Sequence, residues 1–387
     1  MDSQKMSLET KLIHAGEPGQ RFAGAVNVPI FQSSTYEYRG QSSYHDITYI
    51  RLNNTPNHEV LHKKLAALEN AEAAVVTASG MAAITTAILA LLSTGDHLLA
   101  QNCLYGGTHQ FLTRDLNGFG IAYDFIDGDD LDDWTAKLRP NTKAILVETM
   151  TNPLLEIADL VGIVEFARRH GLVTIVDNTF ASPVNFRPAE WGLDLSIHSG
   201  TKYLNGHSDI VAGAVIGKRR LVKQITRKLN HLGGTLDPHA CFLLHRGLKT
   251  LALRMHYQNA SALKIATFLR DHPIVERVFY PGLETHPQHA RAQEWFDGFG
   301  GMLSFELKGA VEQAEQLMAR LKLPLSAPSL GGVETLITRP ATTSHSGMSA
   351  EERAALGITD GLLRLSVGIE ATDDLIADLQ QALDAIA

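Results

Sequence analysis

The sequence predicts an α/β protein: a mostly parallel sheet buried between helices, followed by a smaller α+β domain. Three observations carry this. Short apolar runs alternate with helical periodicity from Asn57 to about Leu236, and near-continuous apolar strands between helices belong to parallel sheets covered on both faces. After Leu236 the texture changes to a long helical pattern and then to strands of alternating polarity. The chain has 387 residues, more than the roughly 250–300 at which a single core stops growing, so two units are expected.

The elements follow in order. Residues 1–56 carry Gly, Pro, Ser and Gln without clear periodicity, as in Gly16-Glu17-Pro18-Gly19 and Gln32-Ser33-Ser34. A stretch that long without elements is functional or packs against a partner. From Asn57, Val60, Leu61, Leu65 and Leu68 recur at helical spacing and end in Glu69-Asn70-Ala71. A helix is expected from Met81, a strand over His97–Ala100, a helix after Gly107 and a strand over Ile121–Ile126. A helix over Leu131–Leu138, a strand Ala144–Val147, a helix Leu160–His170 and a strand Leu172–Val176 continue the alternation, with further apolar runs at Leu193–Ile197 and Val211–Ile216. The second unit, residues 239–387, opens on one helical pattern from Ala240 to Leu269 and passes through Val275–Tyr280. Met302–Leu307 and Leu362–Val367 alternate as half-buried strands do, and Thr372–Ile386 is an amphipathic closing helix. The expected divisions are therefore 1–56, 57–238 and 239–387.

Composition narrows the function classes. The formal charge of −8 leaves no electrostatic footprint for nucleic acid. No apolar run reaches the ~18 residues that span a bilayer; the longest, Met81 to Leu92, is broken by Thr85 and Thr86. The first twenty residues hold Lys5, Glu9, Lys11 and Glu17 and no hydrophobic stretch, so no secretory signal is expected. Two cysteines, Cys103 and Cys241, make no disulfide framework. The expected compartment is the cytoplasm.

Several segments are candidates for chemistry. His58-Glu59-Val60-Leu61-His62 fits an H-E-x-x-H, which on a helix places two His for zinc with Glu as base. A catalytic zinc needs a third protein ligand, and here Lys63-Lys64 follow instead, so a helix face that happens to match is the better account and no metal is expected. His286-Pro287-Gln288-His289 reads as a loop and helix start, and Gly213 to Arg219, one residue short of a P-loop and without the Ser or Thr, reads as a turn after a strand. Thr77-Ala78-Ser79-Gly80-Met81 opens directly into a helix, whose free N–H groups and dipole hold anions. Asp177 ends one buried strand and Lys202 follows another; strand ends of this kind bind ligands in α/β sheets. A buried charge is costly unless paired. The two either pair with each other or flank a ligand that offers a cation to Asp177 and an electrophile to Lys202. Pyridoxal 5′-phosphate meets both demands: its aldehyde takes a lysine, its ring N–H⁺ takes a carboxylate, and its phosphate takes a helix N-terminus with the hydroxyls of Ser199 and Thr201.

At these residues the chain resembles the Cys/Met-metabolism family of pyridoxal-phosphate enzymes, the group of cystathionine γ-synthase, cystathionine β-lyase, cystathionine γ-lyase and methionine γ-lyase. The resemblance rests on Ser79-Gly80-Met81, Tyr105-Gly106-Gly107-Thr108, Thr151-Asn152-Pro153, Val176-Asp177-Asn178-Thr179, Ser199-Gly200-Thr201-Lys202, Ser329-Leu330-Gly331-Gly332 and Arg364 to Glu370. It implies a fold-type I transferase: a large domain with a mostly parallel seven-stranded sheet flanked by helices and a smaller α+β C-terminal domain. It also implies Lys202 as the cofactor lysine and proton shuttle, Asp177 on the ring nitrogen, and Tyr105 over the ring. Gly80, Met81, Ser199 and Thr201 would take the phosphate, with Tyr49 and Arg51 reaching the phosphate of a neighbouring subunit from the 1–56 arm. Asn152, Ser329 and Arg364 would grip the substrate's α-carboxylate, for which a planar guanidinium is apt. A homotetramer, a dimer of dimers with shared active sites, is implied as well.

Departures from the family pattern bear on the substrate. Ile50 stands where the family has Ser, and Thr55-Pro56 reverses its Pro-Thr. Thr48, Gln110 and Pro328 occupy places where many γ-specific members hold an acid, an Arg and a Glu, and Gly107 stands where methionine γ-lyases often carry Cys. The expected activity is carbon–sulfur lysis on sulfur amino acids, by β- or γ-elimination from cystathionine, homocysteine or related compounds. The alternative is γ-replacement on an O-acylhomoserine, as in cystathionine γ-synthase or a sulfhydrylase. A zinc hydrolase built on His58 and His62 is the remote alternative. A catalytically dead scaffold is disfavoured by the presence of Lys202, Asp177, Tyr105 and Arg364.

Overall fold

Five- to seven-residue apolar runs build the larger of two sheets, in the computed structural model that describes residues 6–386. Residues 1–5 of the expected arm lie outside the described residues. The strands are β1 (Ala73–Thr77), β2 (His97–Gln101), β3 (Ala122–Ile126), β4 (Thr142–Glu148), β5 (Val173–Asp177), β6 (Leu195–Ser199) and β7 (Gly213–Gly217). Their order is β1-β7-β6-β5-β4-β2-β3. The pairs from β3 through β6 are parallel, while β7 runs antiparallel to both β6 and β1.

Alternation along these strands feeds two separate cores, because successive side chains of a strand point to opposite faces. Leu98, Ala144, Leu146, Ile175 and Ile197 pack on one face with Ile84 and Ile88 of the helix Gly80–Leu91 and Ile225 of the helix Arg219–Leu232. Leu99, Ile145, Val147 and Val176 pack on the other with Leu61 and Leu65 of the helix Pro56–Leu68 and Ile163 and Phe166 of the helix Leu160–His170. The second sheet contains β8 (Val275–Phe279), β9 (Met302–Leu307), β10 (Leu325–Ser326), β11 (Leu336–Thr338) and β12 (Leu363–Ser366) in the order β10-β11-β12-β9-β8. Its core includes Ile265, Leu303, Phe305, Leu365 and Leu379. No helix among the described residues is long and apolar enough to cross a membrane.

Four features differ from the sequence expectation. Ala73–Thr77 is a strand, where the sequence predicts no element between the helix ending at Glu69-Asn70-Ala71 and the helix from Met81. Arg219–Leu232 is a helix that buries Leu221, Val222, Ile225 and Leu229 beyond the turn expected there. The expected helix from Ala240 to Leu269 is two, Pro238–Leu248 and Leu251–Asp271, parted at Thr250, which leaves helical geometry at φ −110°, ψ 6°. Finally, the N-terminal segment includes a helix, Leu8–His14, that buries Leu12.

Candidate active site

The carboxyl ends of β4, β5 and β6 deliver Glu148, Asp177 and Ser199 to one edge of the sheet. A cavity of about 640 Å³ opens there, closed on its far side by Pro328, Ser329 and Arg364 from the C-terminal unit. Ser79 caps the helix Gly80–Leu91, accepting the Ala82 N–H on Oγ at 3.0 Å, and its carbonyl accepts the Ala83 N–H. Gly80 and Met81, at the positive end of the helix dipole, line the cavity. Gly80 is required at this spot: an added Cβ would lie 2.9 Å from Ser199 Cβ and 3.0 Å from Ser199 Cα.

Asp177 is braced rather than ion-paired. Its Oδ1 accepts the Thr179 N–H at 3.0 Å and the Thr179 hydroxyl, and Thr179 Oγ1 in turn accepts the Ser199 N–H at 2.9 Å. Burial pushes the Asp177 carboxyl up, and the two Thr179 hydrogen bonds and the nearby His198 oppose this. Lys202 does not pair with it: Nζ donates to Ser329 Oγ at 2.7 Å. Burial, followed by the charge of Arg364, lowers the Lys202 amine to about 8, so an appreciable share is neutral and nucleophilic near neutral pH.

Arg364 is 4% exposed on β12. Its guanidinium donates to Asn152 Oδ1 at 2.9 Å and to the Ser329 carbonyl at 3.2 Å, both neutral acceptors. A buried cation with neutral partners leaves its charge for an anionic ligand. Tyr105 is 41% exposed at the cavity, and its ring lies over Gly107, where an added Cβ would stand 2.6 Å from Tyr105 Cε1. Thr201 Oγ1 accepts the Ala212 N–H at 3.0 Å, which ties the lysine loop to the start of β7.

The cavity therefore gathers Gly80, Met81, Tyr105, Asn152, Asp177, Ser199, Thr201, Lys202, Ser329 and Arg364, all expected from the sequence. Tyr49 and Arg51 are not among its lining residues; Arg51 donates to the Asn230 carbonyl at 2.8 Å and to the Tyr44 hydroxyl at 2.5 Å. Of the three departures tied to specificity, Pro328 alone lines the cavity. Glu148 and Thr179 were missed by the sequence reading. Glu148 carries the signal that exposed Asp177, an acid ending the apolar run Ile145-Leu146-Val147, and Thr179 sits two residues past Asp177. His58 is unsuited to a metal, since Nδ1 meets Thr55 Oγ1 and Nε2 meets the Leu236 carbonyl, both at 2.7 Å. No group of three or more His, Cys, Asp or Glu able to hold a metal occurs among the described residues.

These residues fit pyridoxal 5′-phosphate: helix amides and hydroxyls for an ester phosphate, a buried acid for a protonated ring nitrogen, and an amine of lowered pKa for an aldehyde. The comparisons with known proteins agree. A model of the family "Cys/Met metabolism PLP-dependent enzyme" matches residues 9–384. The cystathionine gamma-lyase of Bacillus subtilis is 44% identical over 382 residues, covering 98% of this chain and 100% of that protein. The cystathionine beta-lyase of the same organism is 42% identical over 388 residues, covering 100% of this chain and 99% of that protein. The crystal structure of cystathionine gamma-lyase from Lactobacillus plantarum, complexed with L-serine, superposes with a TM-score of 0.93 at 40% identity over 98% of this chain and 99% of that one.

Proposed function

The chain belongs to the Cys/Met metabolism PLP-dependent enzymes, and from that premise we propose that it breaks carbon–sulfur bonds in sulfur amino acids such as cystathionine and homocysteine. The products are a thiol, a 2-oxo acid and ammonia. Pyridoxal 5′-phosphate is the cofactor; when bound it supplies an aldehyde that exchanges amines and a ring that accepts the electron pair freed at the substrate's α-carbon. The similarity to both a γ-lyase and a β-lyase supports the lyase class. The observation that carries the reading is Arg364, a buried guanidinium held by neutral acceptors beside the amine of Lys202, which itself donates to the Ser329 hydroxyl.

Each residue then has a task. Gly80 and Met81 hold the phosphate by their N–H groups, with the hydroxyls of Ser199 and Thr201 beside them. Asp177 would hold the proton on the ring nitrogen, and Thr179 braces the Asp177 carboxyl for that task. Tyr105 covers the ring. Arg364 and Asn152, with Ser329, orient the substrate's α-carboxylate. Lys202 would hold the aldehyde, and its neutral amine, once free, would remove the substrate's α-proton. The sulfur leaves as a thiol with a proton, and water taken up by the remaining unsaturated amine yields the 2-oxo acid and ammonia. In the proposed assembly, a homotetramer, Tyr49 and Arg51 of the N-terminal arm complete a neighbour's phosphate site; the proposed compartment is the cytoplasm.

The test joins label and product. Purified protein is expected to be yellow, borohydride is expected to fix a pyridoxyl group on Lys202, and cystathionine is expected to yield a 2-oxo acid and ammonia without an added thiol. A label on another lysine, or turnover only with an O-acylhomoserine plus cysteine, overturns the reading.

A further inference from the structure

We infer that Glu148 is a positioning residue that locks together the two halves of the site, the segment covering the cofactor ring and the segment receiving the substrate's carboxylate. The inference rests on the cofactor and substrate reading of the cavity given above. Glu148 ends β4 and lines the cavity. Its Oε1 accepts the backbone N–H of Tyr105 at 2.6 Å, and its Oε2 accepts the backbone N–H of Asn152 at 3.2 Å. Tyr105 follows β2, whereas Asn152 follows β4 itself, so a single side chain bridges loops from neighbouring strands. The bridge continues through Asn152 Oδ1 to Arg364 of the C-terminal unit at 2.9 Å. The strand end is itself pinned, with the Glu148 N–H donated to Gln101 Oε1 at 2.9 Å.

A carboxyl group that served only to end a strand would sit at the surface or beside a cation. Glu148 is 5% exposed, and its hydrogen-bond partners are backbone amides. It also stands in register with Asp177 on β5. Burial and that neighbouring acid push the Glu148 carboxyl well above the usual carboxylate range. Both acids accept hydrogen bonds that oppose such a rise, Asp177 from Thr179 and Glu148 from the amides of Tyr105 and Asn152. Glu148 thus holds the Tyr105 and Asn152 loops by one carboxyl group.

The experiment compares Glu148→Ala and Glu148→Gln with wild type as holoenzymes, measuring kcat and KM for cystathionine and the circular dichroism of the cofactor's visible band. Gln retains one acceptor oxygen and Ala none. Releasing Asn152 weakens a grip made equally in ground and transition states, so KM is expected to rise about tenfold in Ala and less in Gln, with kcat falling less than KM rises. Releasing Tyr105 is expected to diminish the dichroic band. A purely structural role lowers the melting temperature but leaves KM and the band of the folded enzyme within twofold of wild type, and that result overturns the inference. If Glu148→Ala does not fold, Glu148→Gln decides on the same two readouts. A wild type without a visible band and without a borohydride label on Lys202 sinks the cofactor reading instead, before any Glu148 variant is compared.

Discussion

Lys202 sets the pH at which the site becomes reactive. Its amine is held near 8 by burial and then by Arg364, below the 10.5 of an ordinary lysine, and only the neutral amine attacks an aldehyde. The rate at which cofactor-free enzyme takes up pyridoxal phosphate is therefore expected to rise with pH through about 8 and then level off. In Arg364→Gln the inflection moves upward, because a neighbouring cation no longer disfavours the protonated amine. A rate flat across that range in rapid-mixing absorbance measurements refutes the assignment. Pro328 supports a second expectation, since the family resemblance puts Glu there in many γ-specific members. Without that acid, substrates with uncharged tails such as homocysteine are expected to be turned over alongside cystathionine. Pro328→Glu is expected to raise the kcat/KM preference for cystathionine over homocysteine by about tenfold, and an unchanged ratio rejects it. At this scale the sequence was legible where a charge ends an apolar run, as at Asp177, follows one, as at Lys202, or sits within one, as at Arg364. Glu148 has the signature of Asp177, but the strand reading stopped at Val147, and a backbone-binding role for its side chain has no sequence mark.

Between elements, a buried cluster fastens the helix Pro56–Leu68 to the sheet beneath the site. Glu69 Oε1 accepts from His198 Nε2 at 2.6 Å, Ser196 Oγ at 3.0 Å and Asn178 Nδ2 at 3.1 Å. Glu69 and His198 are essentially inaccessible to solvent. Glu69→Ala removes the shared acceptor of the imidazole, the Ser196 hydroxyl and the Asn178 amide, and leaving a buried donor without its acceptor costs roughly 1–3 kcal/mol. A clearly lowered apparent melting temperature is expected, and an unchanged one contradicts the role given to this cluster. The element pattern was readable where side chains are long and apolar. It was lost at β1, where Ala73 and Ala74 carry too little surface to mark a period, and at Arg219–Leu232, where the basic residues Lys218 to Arg220 drew attention away from Leu221, Ile225 and Leu229.

The whole molecule brings together residues from Gly80 to Arg364, but Tyr49 and Arg51 stay outside the cavity of their own chain. If they serve a neighbour, an Arg51→Ala chain mixed with a Lys202→Ala chain is expected to regain activity, because one kind of mixed site has both residues intact. Absence of recovery after demonstrated subunit exchange would falsify the shared site. Division into two units was legible from the change of texture at Leu236, whereas the meeting of Ser329 and Arg364 with the strand-end residues was not, since no local pattern encodes which distant segments close on each other. The antiparallel β7 has a further consequence. It is the sheet neighbour of β1, so on the ribosome the strand leading into the helix Gly80–Leu91 waits without its sheet partner until β7 has been made. Once β7 is in place, the anion-binding turn, the ring acid and the reactive amine all exist, while Ser329 and Arg364 are still to be synthesised. The order of translation thus places Gly80, Asp177 and Lys202 in the chain well before Ser329 and Arg364, and in that interval the amine of Lys202 lacks the guanidinium that helps lower its pKa.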